Sequence, residues 1–382
     1  MRVLSLQPYF GGSHKAFQTD WQRHSRHQWE VLTCAPRHWK WRMRHAAVYF
    51  AEQLASRFSG KDFDAIFCSD FLNAAEFRGL VGESLRGLPM VVYFHENQFA
   101  YPSRRHDERD LHFGFTNFTS CLAADQVWFN SSFNRDSFFA GLEKACGKWP
   151  DYQPTDSIQR IKTKCHVEPP GIVSGQTLRE ISSVAEANRP VNLVWASRWE
   201  HDKNPRLLLE ALRALKTRGI DFRINVIGQS FRRVPDEFPQ IQAEFCGEIR
   251  RWGYQESRSD YQAALAESDI FISTADHEFF GIAAAEAILG GLIPLLPSRL
   301  AYPELLRVDL EPSRKQLFLY DGSAEDFTDK VDFLAKNLGN ESLIEQHSRL
   351  QNELRGDLDW GTRAPLMDDK IEAVVRYARG DS

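Results

Sequence analysis

The chain has 382 residues, of which 42% are hydrophobic and 26% charged, a length that suggests about two to three domains and a balance ordinary for a globular protein. No stretch approaches the roughly 20 uninterrupted apolar residues of a membrane-spanning helix, and the start, Met1-Arg2-Val3-Leu4-Ser5-Leu6, runs into polar sequence too early for a signal-peptide core. The formal net charge of −5 argues against indiscriminate nucleic-acid binding, though not against a local basic face.

The chain therefore reads as cytoplasmic, with no membrane association and no feature that calls for a protein partner. Six cysteines (Cys34, Cys68, Cys121, Cys146, Cys165, Cys246) stand singly. Without a C-x-x-C pair they suggest reduced thiols rather than a zinc ribbon or a disulfide framework.

In chain order, Arg2–Leu6, Trp29–Thr33, Ala65–Cys68, Met90–Phe94 and Gln126–Asn130 read as buried strands. Amphipathic helical stretches separate them at His14–Arg26, Arg44–Phe58 and Asp107–Ala124. Such alternation predicts an α/β fold with a doubly wound parallel sheet. After Val167, Glu168-Pro169-Pro170-Gly171 opens a polar stretch that cannot continue a helix or a central strand. The predicted organisation is a first domain over 1–170, a linker over 171–190 and a second domain over 191–357.

Within the second domain, strands are predicted at Val191–Ala196, Phe222–Ile227, Ile270–Ser273 and Leu292–Leu295. Helices are predicted over Pro205–Lys216, around Tyr261–Ala266 and over Phe280–Leu289. Helical patterns at Ala324–Asn337, Leu343–Arg355 and Ala364–Ala378 close the chain, and residues 358–382 are expected to pack back on the first domain. Two such α/β halves are expected to face each other across a cleft between the carboxyl edges of their sheets, the edge where open α/β sheets bind ligands.

Four segments carry chemistry. In His277-Glu278-Phe279-Phe280-Gly281-Ile282-Ala283-Ala284-Ala285-Glu286, two glutamates lie eight apart across a strand–loop–helix junction. Gly281 near the helix start lets backbone N–H groups approach a phosphate, where the helix dipole favours negative charge. Glu278 is then placed for sugar hydroxyls, and Glu286, about two turns along the helix, for a ribose. Alone, this would be two surface carboxylates near a helix N-terminus; its setting in a second α/β domain favours a donor site. The spacing resembles the E-x7-E signature of the retaining family-4 glycosyltransferases.

The second segment, Ser197-Arg198-Trp199-Glu200-His201-Asp202-Lys203-Asn204-Pro205, follows the first strand of that domain. Arg198 and Lys203 would sit where a pyrophosphate lies and stabilise the charge gained by a departing nucleoside diphosphate. The third, Tyr93-Phe94-His95-Glu96-Asn97-Gln98, ends a hydrophobic strand of the first domain and sets His95 towards the transferred sugar. The fourth, Phe10-Gly11-Gly12-Ser13-His14-Lys15, is either a flexible turn or a backbone able to close on a ligand. It is not a G-x-G-x-x-G dinucleotide fingerprint.

Two metal-like patterns are set aside. Asp62-Phe63-Asp64 precedes its strand and lies on the wrong sheet edge. His277-Glu278 lacks the second histidine of a zinc-protease helix. No cofactor or catalytic metal is expected.

Together these four segments, reinforced by Trp39-Lys40-Trp41-Arg42, Phe129-Asn130-Ser131, Phe133-Asn134 and Tyr302-Pro303-Glu304, resemble the tRNA-queuosine mannosyltransferases, a family of GT-B glycosyltransferases. The likeness runs from the first strand to about Glu304. It implies two Rossmann-like domains, GDP-mannose as donor, and transfer with retention to the cyclopentenediol of queuosine in the anticodon loop of tRNA-Asp. Catalytic roles are implied for His95, Arg198, Lys203 and Glu278. Donor contacts are implied for Gly11, Gly12, Arg198, Lys203, His277, Glu278, Phe279, Phe280, Gly281 and Glu286. The chain departs from the family pattern at Asp276, where a basic residue is usual, and has a shorter connector after Pro170.

An acceptor tRNA needs a basic face. Residues 37–45 hold Arg37, Lys40, Arg42 and Arg44 with Trp39 and Trp41 and no acid, which suits phosphates and splayed bases. Arg104 and Arg105 form a second basic group after Glu96, Asn97 and Gln98, and all five are expected on the acceptor side. The competing readings are a glycosyltransferase with a glycan or lipid acceptor, a nucleotide-sugar epimerase, and a non-catalytic RNA-binding protein with a degenerate sugar site.

Overall fold

The structure is a computed structural model that describes residues 1–58, 62–101, 111–149, 151–173, 189–231 and 233–380. The chain divides into two compact units, Met1–Gly171 with Trp360–Ser382, and Ile172–Asp359. Most of the predicted linker and the basic group Arg104-Arg105 lie outside the described residues.

The first unit is built on six parallel strands: β1 (Arg2–Gln7), β2 (Gln28–Thr33), β3 (Ala65–Ser69), β4 (Met90–Phe94), β5 (Gln126–Phe129) and β6 (Cys165–Val167). They pair in the order β2-β1-β3-β4-β5-β6. Because successive side chains of a strand point to opposite faces, neighbouring residues are sorted into two cores. Leu4, Ile66, Val92, Phe94 and Phe129 pack with Phe50 and Phe138 on one face. Val3, Phe67, Val91, Tyr93 and Trp128 pack with Phe17, Trp21, Trp360 and Met367 on the other. Sheets covered on both faces need apolar residues at every position, which is why β3 and β4 are buried throughout.

The helix that completes the second face, Trp360–Arg379, comes from the chain's end. It is tied down by polar bonds as well as apolar packing. Trp21 Nε1 donates to Asp368 Oδ1 at 2.9 Å, and buried Glu168 accepts from Arg363 Nη2 at 2.9 Å and from Lys370. At Gly171 the Trp360 ring lies so close that a Cβ would fall 2.2 Å from it.

The second unit has β7 (Val191–Ala196), β8 (Phe222–Ile227), β9 (Ile249–Gly253), β10 (Ile270–Ile272), β11 (Ile293–Pro297) and β12 (Leu319–Tyr320). Their order is β12-β11-β10-β7-β8-β9, again all parallel. Leu193, Trp195, Ile224, Val226 and Ile272 form its core with Leu208, Leu212 and Ile288 from the flanking helices. The chain enters and leaves this unit side by side, where Ile172 N donates to Leu358 O at 2.6 Å.

Each sheet has one point where the winding reverses: between β1 and β3 in the first, and between β7 and β10 in the second. The carboxyl edge at such a reversal is where open α/β sheets bind their ligands. Among the described residues no helix is long and apolar enough to cross a membrane.

Candidate active site

In the second unit the reversal brings the loop after β7 against the loop after β10. Asp202 O accepts from the backbone of Asp276 and His277 at 2.9 and 3.2 Å. Thr274 Oγ1, itself bonded by Trp195 Nε1 at 3.0 Å, donates to Lys203 O at 2.8 Å. Asn204 takes a left-handed conformation and caps the Pro205–Thr217 helix, accepting from Leu207 N at 3.0 Å. The local sequence explains this: asparagine tolerates a positive φ, and proline suits the first helical position.

Lys203 is thereby held inward. Its ammonium donates to His277 O at 2.7 Å and lies 3.3 Å from Glu278 Oε2 and 3.4 Å from Asp202 Oδ2. Burial works to raise the Glu278 carboxyl, but the charge of Lys203, assisted by the Phe280 N–H, outweighs it and holds the group below the usual carboxylate range. Burial, helped by the Lys203 charge, pushes His277 down to about 4, so the ring is neutral at pH 7.

Arg198 is more exposed and pairs with Glu200 at 3.1 Å. Gly281 caps the Ile282–Leu289 helix with φ +95°, and an added Cβ would stand 3.1 Å from the Tyr302 ring. Phe279 and Phe280 are buried beside it. Glu286 is shielded and occupied: Tyr261 Oη donates to it at 3.0 Å, and Arg258 pairs with it at 2.8 Å. The loop residue Asp276 pairs with Arg299 at 2.6 Å, so the acid at this position is balanced locally.

Three features of this edge were not singled out in the sequence. Gly228, after β8, has φ +148° and lies so near Ser197 that a Cβ would be 1.8 Å from its carbonyl oxygen. Its signal was a glycine directly following a strand of a parallel sheet. Arg258 and Tyr261, the partners of Glu286, carried none, because they approach it through space.

In the first unit, Gly11 and Gly12 follow β1 at its own reversal point. Gly11 is extended and abuts Pro36, where a Cβ would lie 2.4 Å away, while Gly12 has φ +52° with open space around it. His95, at the end of β4, lies against His14 with ring centroids 4.0 Å apart and planes inclined at 42°, and packs on Phe17 and Tyr93. Burial and the neighbouring His14 push its pKa well down, so it is a neutral ring. Its backbone is clamped by Asp70 Oδ1, which accepts from His95 N at 3.1 Å, and by Asn130 Nδ2, which donates to His95 O at 2.8 Å. Asp70, also missed in the sequence, is fully buried, and burial with the nearby Glu96 charge pushes its carboxyl well up.

The expected acceptor residues divide. Asn97 is fully buried, donating to Asn134 Oδ1 at 2.8 Å and accepting from Ala100 N at 2.8 Å. Gln98 is buried and donates to Glu96 Oε1 at 3.2 Å. These two shape the loop rather than present donors, and Glu96 is the more accessible of the three. Trp39 turns inward onto Phe113 and Phe71, with centroids 5.2 and 6.2 Å away. Lys40 and Arg44 lie over the Phe113 ring. Arg37 and Trp41 are exposed, and Arg42 donates to Ala35 O at 3.1 Å.

The metal-like Asp64 is structural: its Oδ2 accepts from Arg2 N at 2.9 Å, which with Arg379 holds its carboxyl low. Among the described residues no group of three or more His, Cys, Asp or Glu side chains is disposed to hold a metal ion.

Comparison with known proteins bears on both units. Residues 2–172 match the family described as tRNA-queuosine alpha-mannosyltransferase N-terminal, and residues 179–352 match glycosyl transferases group 1. The chain is 36% identical over 315 residues to the tRNA-queuosine alpha-mannosyltransferase of Drosophila melanogaster, covering 79% of this chain and 81% of that protein. A GDP-mannose:cellobiosyl-diphosphopolyprenol alpha-mannosyltransferase of Xanthomonas campestris is 27% identical over 222 residues, 56% of this chain and 50% of that one. Among solved structures, sucrose-phosphate synthase from Thermosynechococcus elongatus superposes with a TM-score of 0.71 at 12% identity, covering 99% of this chain and 100% of that chain. Anabaena HepE in complex with UDP gives 0.69 at 14% identity, covering 98% and 100%. These likenesses establish the GT-B fold, and the matching domains make the chain a glycosyltransferase.

Proposed function

Since the chain belongs to the tRNA-queuosine alpha-mannosyltransferase family, we propose that it transfers mannose from GDP-mannose to the cyclopentenediol of queuosine in the anticodon loop of tRNA-Asp, in the cytoplasm. The observation that carries the donor half is the convergence of Lys203, His277 and Glu278 at the winding reversal of the second sheet.

In this reading Arg198 and Lys203 bind the donor diphosphate, and the Gly281 turn offers backbone N–H groups at a helix N-terminus, where anions are favoured. Glu278, ionised at neutral pH, accepts hydrogen bonds from the sugar hydroxyls, with His277 as its neutral neighbour. Glu286 accepts from the ribose, exchanging a bond now made by Tyr261 or Arg258. For the first unit, the family likeness assigns His95, a neutral ring, to the sugar and the Gly11-Gly12 turn to the phosphates.

The chemistry is a front-face displacement. The bond from the anomeric carbon to the diphosphate oxygen breaks, and the acceptor oxygen bonds to the same face of that carbon. The acceptor proton passes to a diphosphate oxygen, so configuration is retained without a protein nucleophile. Charge grows on the diphosphate as the bond breaks, and fixed cations that meet it lower the barrier. Two protein cations at this sheet edge support a reaction that needs no metal.

The test is mass spectrometry of queuosine-containing tRNA-Asp after incubation with the protein, GDP-mannose and EDTA. A gain of one hexose on the queuosine nucleoside supports donor, acceptor and metal independence together. Hydrolysis of GDP-mannose without that gain supports the donor half and rejects queuosine-containing tRNA-Asp as the acceptor.

A further inference from the structure

The helix Trp39–Arg57 carries two apolar stripes where a helix on a sheet needs one. The inward stripe, Met43, Ala46, Ala47, Phe50 and Leu54, is buried and accounts for the packing. The outward stripe runs Trp41, His45, Val48 and Tyr49, which is the spacing of a second helical face. Trp41 is 61% exposed and Tyr49 40%. The rings form a file, with centroids 5.2 Å apart from Trp41 to His45 and 6.2 Å from His45 to Tyr49.

Cations flank this file. Arg42 Nη1 donates to His45 Nε2 at 2.8 Å, which fixes a guanidinium beside the middle ring. Lys40 and Arg44 project on the next row of the helix over Phe113, and exposed Arg37 lies before its start. No acid occurs between Arg37 and Tyr49; Glu52 is the first on the helix. Exposed aromatic faces beside an uninterrupted basic run match the chemistry of unpaired nucleotides, whose bases stack on rings while their phosphates meet cations. An interface with a folded protein or an apolar tail would not call for four cations and no acid.

We infer that the Trp41–His45–Tyr49 face is a stacking platform for single-stranded RNA. It takes the splayed bases of the anticodon loop, with Arg37, Lys40, Arg42 and Arg44 along the phosphates. His45 and Tyr49 are thereby assigned to RNA recognition, and Trp39 is released from it to the core. The identity of the RNA rests on the proposed function; the platform itself does not.

The experiment compares wild type with Trp41→Ala/Tyr49→Ala and with Arg42→Gln/Arg44→Gln, using the full chain. Binding is measured across a salt series to a queuosine-bearing anticodon stem–loop and to a short uridine-rich RNA, with mannosyl transfer assayed in parallel. Loss of the rings is expected to weaken binding of both RNAs at least about fivefold without changing the salt slope. Loss of the cations is expected to lower that slope by about 0.7 for each phosphate contact removed. Unchanged circular dichroism and melting temperature show that the exposed substitutions leave the fold intact.

Equal RNA affinity in Trp41→Ala/Tyr49→Ala and wild type overturns the platform, even if transfer to queuosine proceeds. Ring-dependent RNA binding without transfer to any queuosine tRNA retains the platform and rejects the proposed acceptor. Binding to anionic vesicles but to neither RNA overturns both.

Discussion

The ammonium of Lys203 lies 3.3 Å from Oε2 of Glu278, two residues 75 positions apart joined at one sheet edge. The cation proposed for the donor diphosphate neutralises the carboxylate proposed for the donor sugar. Each therefore sets the other's charge and orientation, and a bound nucleotide-sugar would meet a preassembled pair rather than two mobile chains.

If the pair acts as a unit, its members are not independent. Lys203→Ala is expected to lower turnover by about 100-fold or more. The double variant with Glu278→Gln should lose less than the product of the single losses, because coupled residues are non-additive. Lys203 is also what holds the Glu278 carboxyl low. Its removal should therefore shift the acidic limb of the pH–rate profile to higher pH. Steady-state kinetics of the three variants across pH 4 to 8 decide this, and strictly multiplicative losses would separate the two roles.

Glu286 is proposed to read the ribose, yet it is engaged by Tyr261 and Arg258. Glu286→Gln keeps the shape and a hydrogen-bonding oxygen but loses the ionic partner. Donor-nucleotide affinity should fall about tenfold, within the range for charged hydrogen bonds. Calorimetry with GDP and with its 2′,3′-dideoxy form is the informative comparison. Wild type should discriminate between them and the variant should do so weakly. Equal discrimination removes Glu286 from the ribose.

The glycines at the sheet edges should respond unequally. Gly228→Ala puts a methyl 1.8 Å from the Ser197 carbonyl oxygen on a backbone with φ +148°. It should cost more than about 3 kcal/mol, since backbone cannot yield as side chains do. Gly12→Ala has a positive φ but open space, and should cost about 1 kcal/mol. Denaturant unfolding of both variants tests the ranking, and a stable Gly228→Ala protein would contradict the close approach.

His347 supplies a pH dependence of stability. It is buried, its Nε2 is 2.8 Å from Leu292 O, and burial pushes its pKa down to about 4. The unfolded chain protonates this ring near its ordinary value of about 6.5, while the folded chain keeps it neutral to about 4. The contribution, roughly 3 kcal/mol, is thus present above pH 6.5 and is lost as pH falls towards 4. His277 acts with the same sign. His347→Gln should flatten the fall in melting temperature between pH 6.5 and 4 relative to wild type. Parallel curves would show that His347 does not titrate in this way.

The central strands were legible as sequence. Met90–Phe94, Val191–Ala196 and Phe222–Ile227 were expected with the bounds the structure shows, because a strand covered on both faces must be an unbroken apolar run. Missed were β6, β9 and β12, all at sheet edges. An edge strand has fewer neighbours to satisfy, so His166, Arg250 and Arg251 interrupt the pattern. The helix expected from Arg44 starts at Trp39, because a run of cations and tryptophans has no cap signal, and the His38 N-cap makes no side-chain hydrogen bond.

Within the candidate sites, sequence order alone determined which loops hold chemistry. Parallel strands place their carboxyl ends on one edge of their own sheet, so Gly11-Gly12 and His95 had to emerge at that edge of the first sheet, and Arg198–Lys203 and His277–Gly281 at that of the second. Only the tertiary structure decided what each side chain does at its edge. It paired Lys203 with Glu278 and Glu286 with Arg258, buried Asn97, placed Asp70 behind His95, and turned Trp39 inward while leaving Trp41 outside. Periodicity encodes which face of an element is apolar. It does not encode which residue from a distant element arrives opposite, and here that neighbour sets the charge, burial and availability of each group.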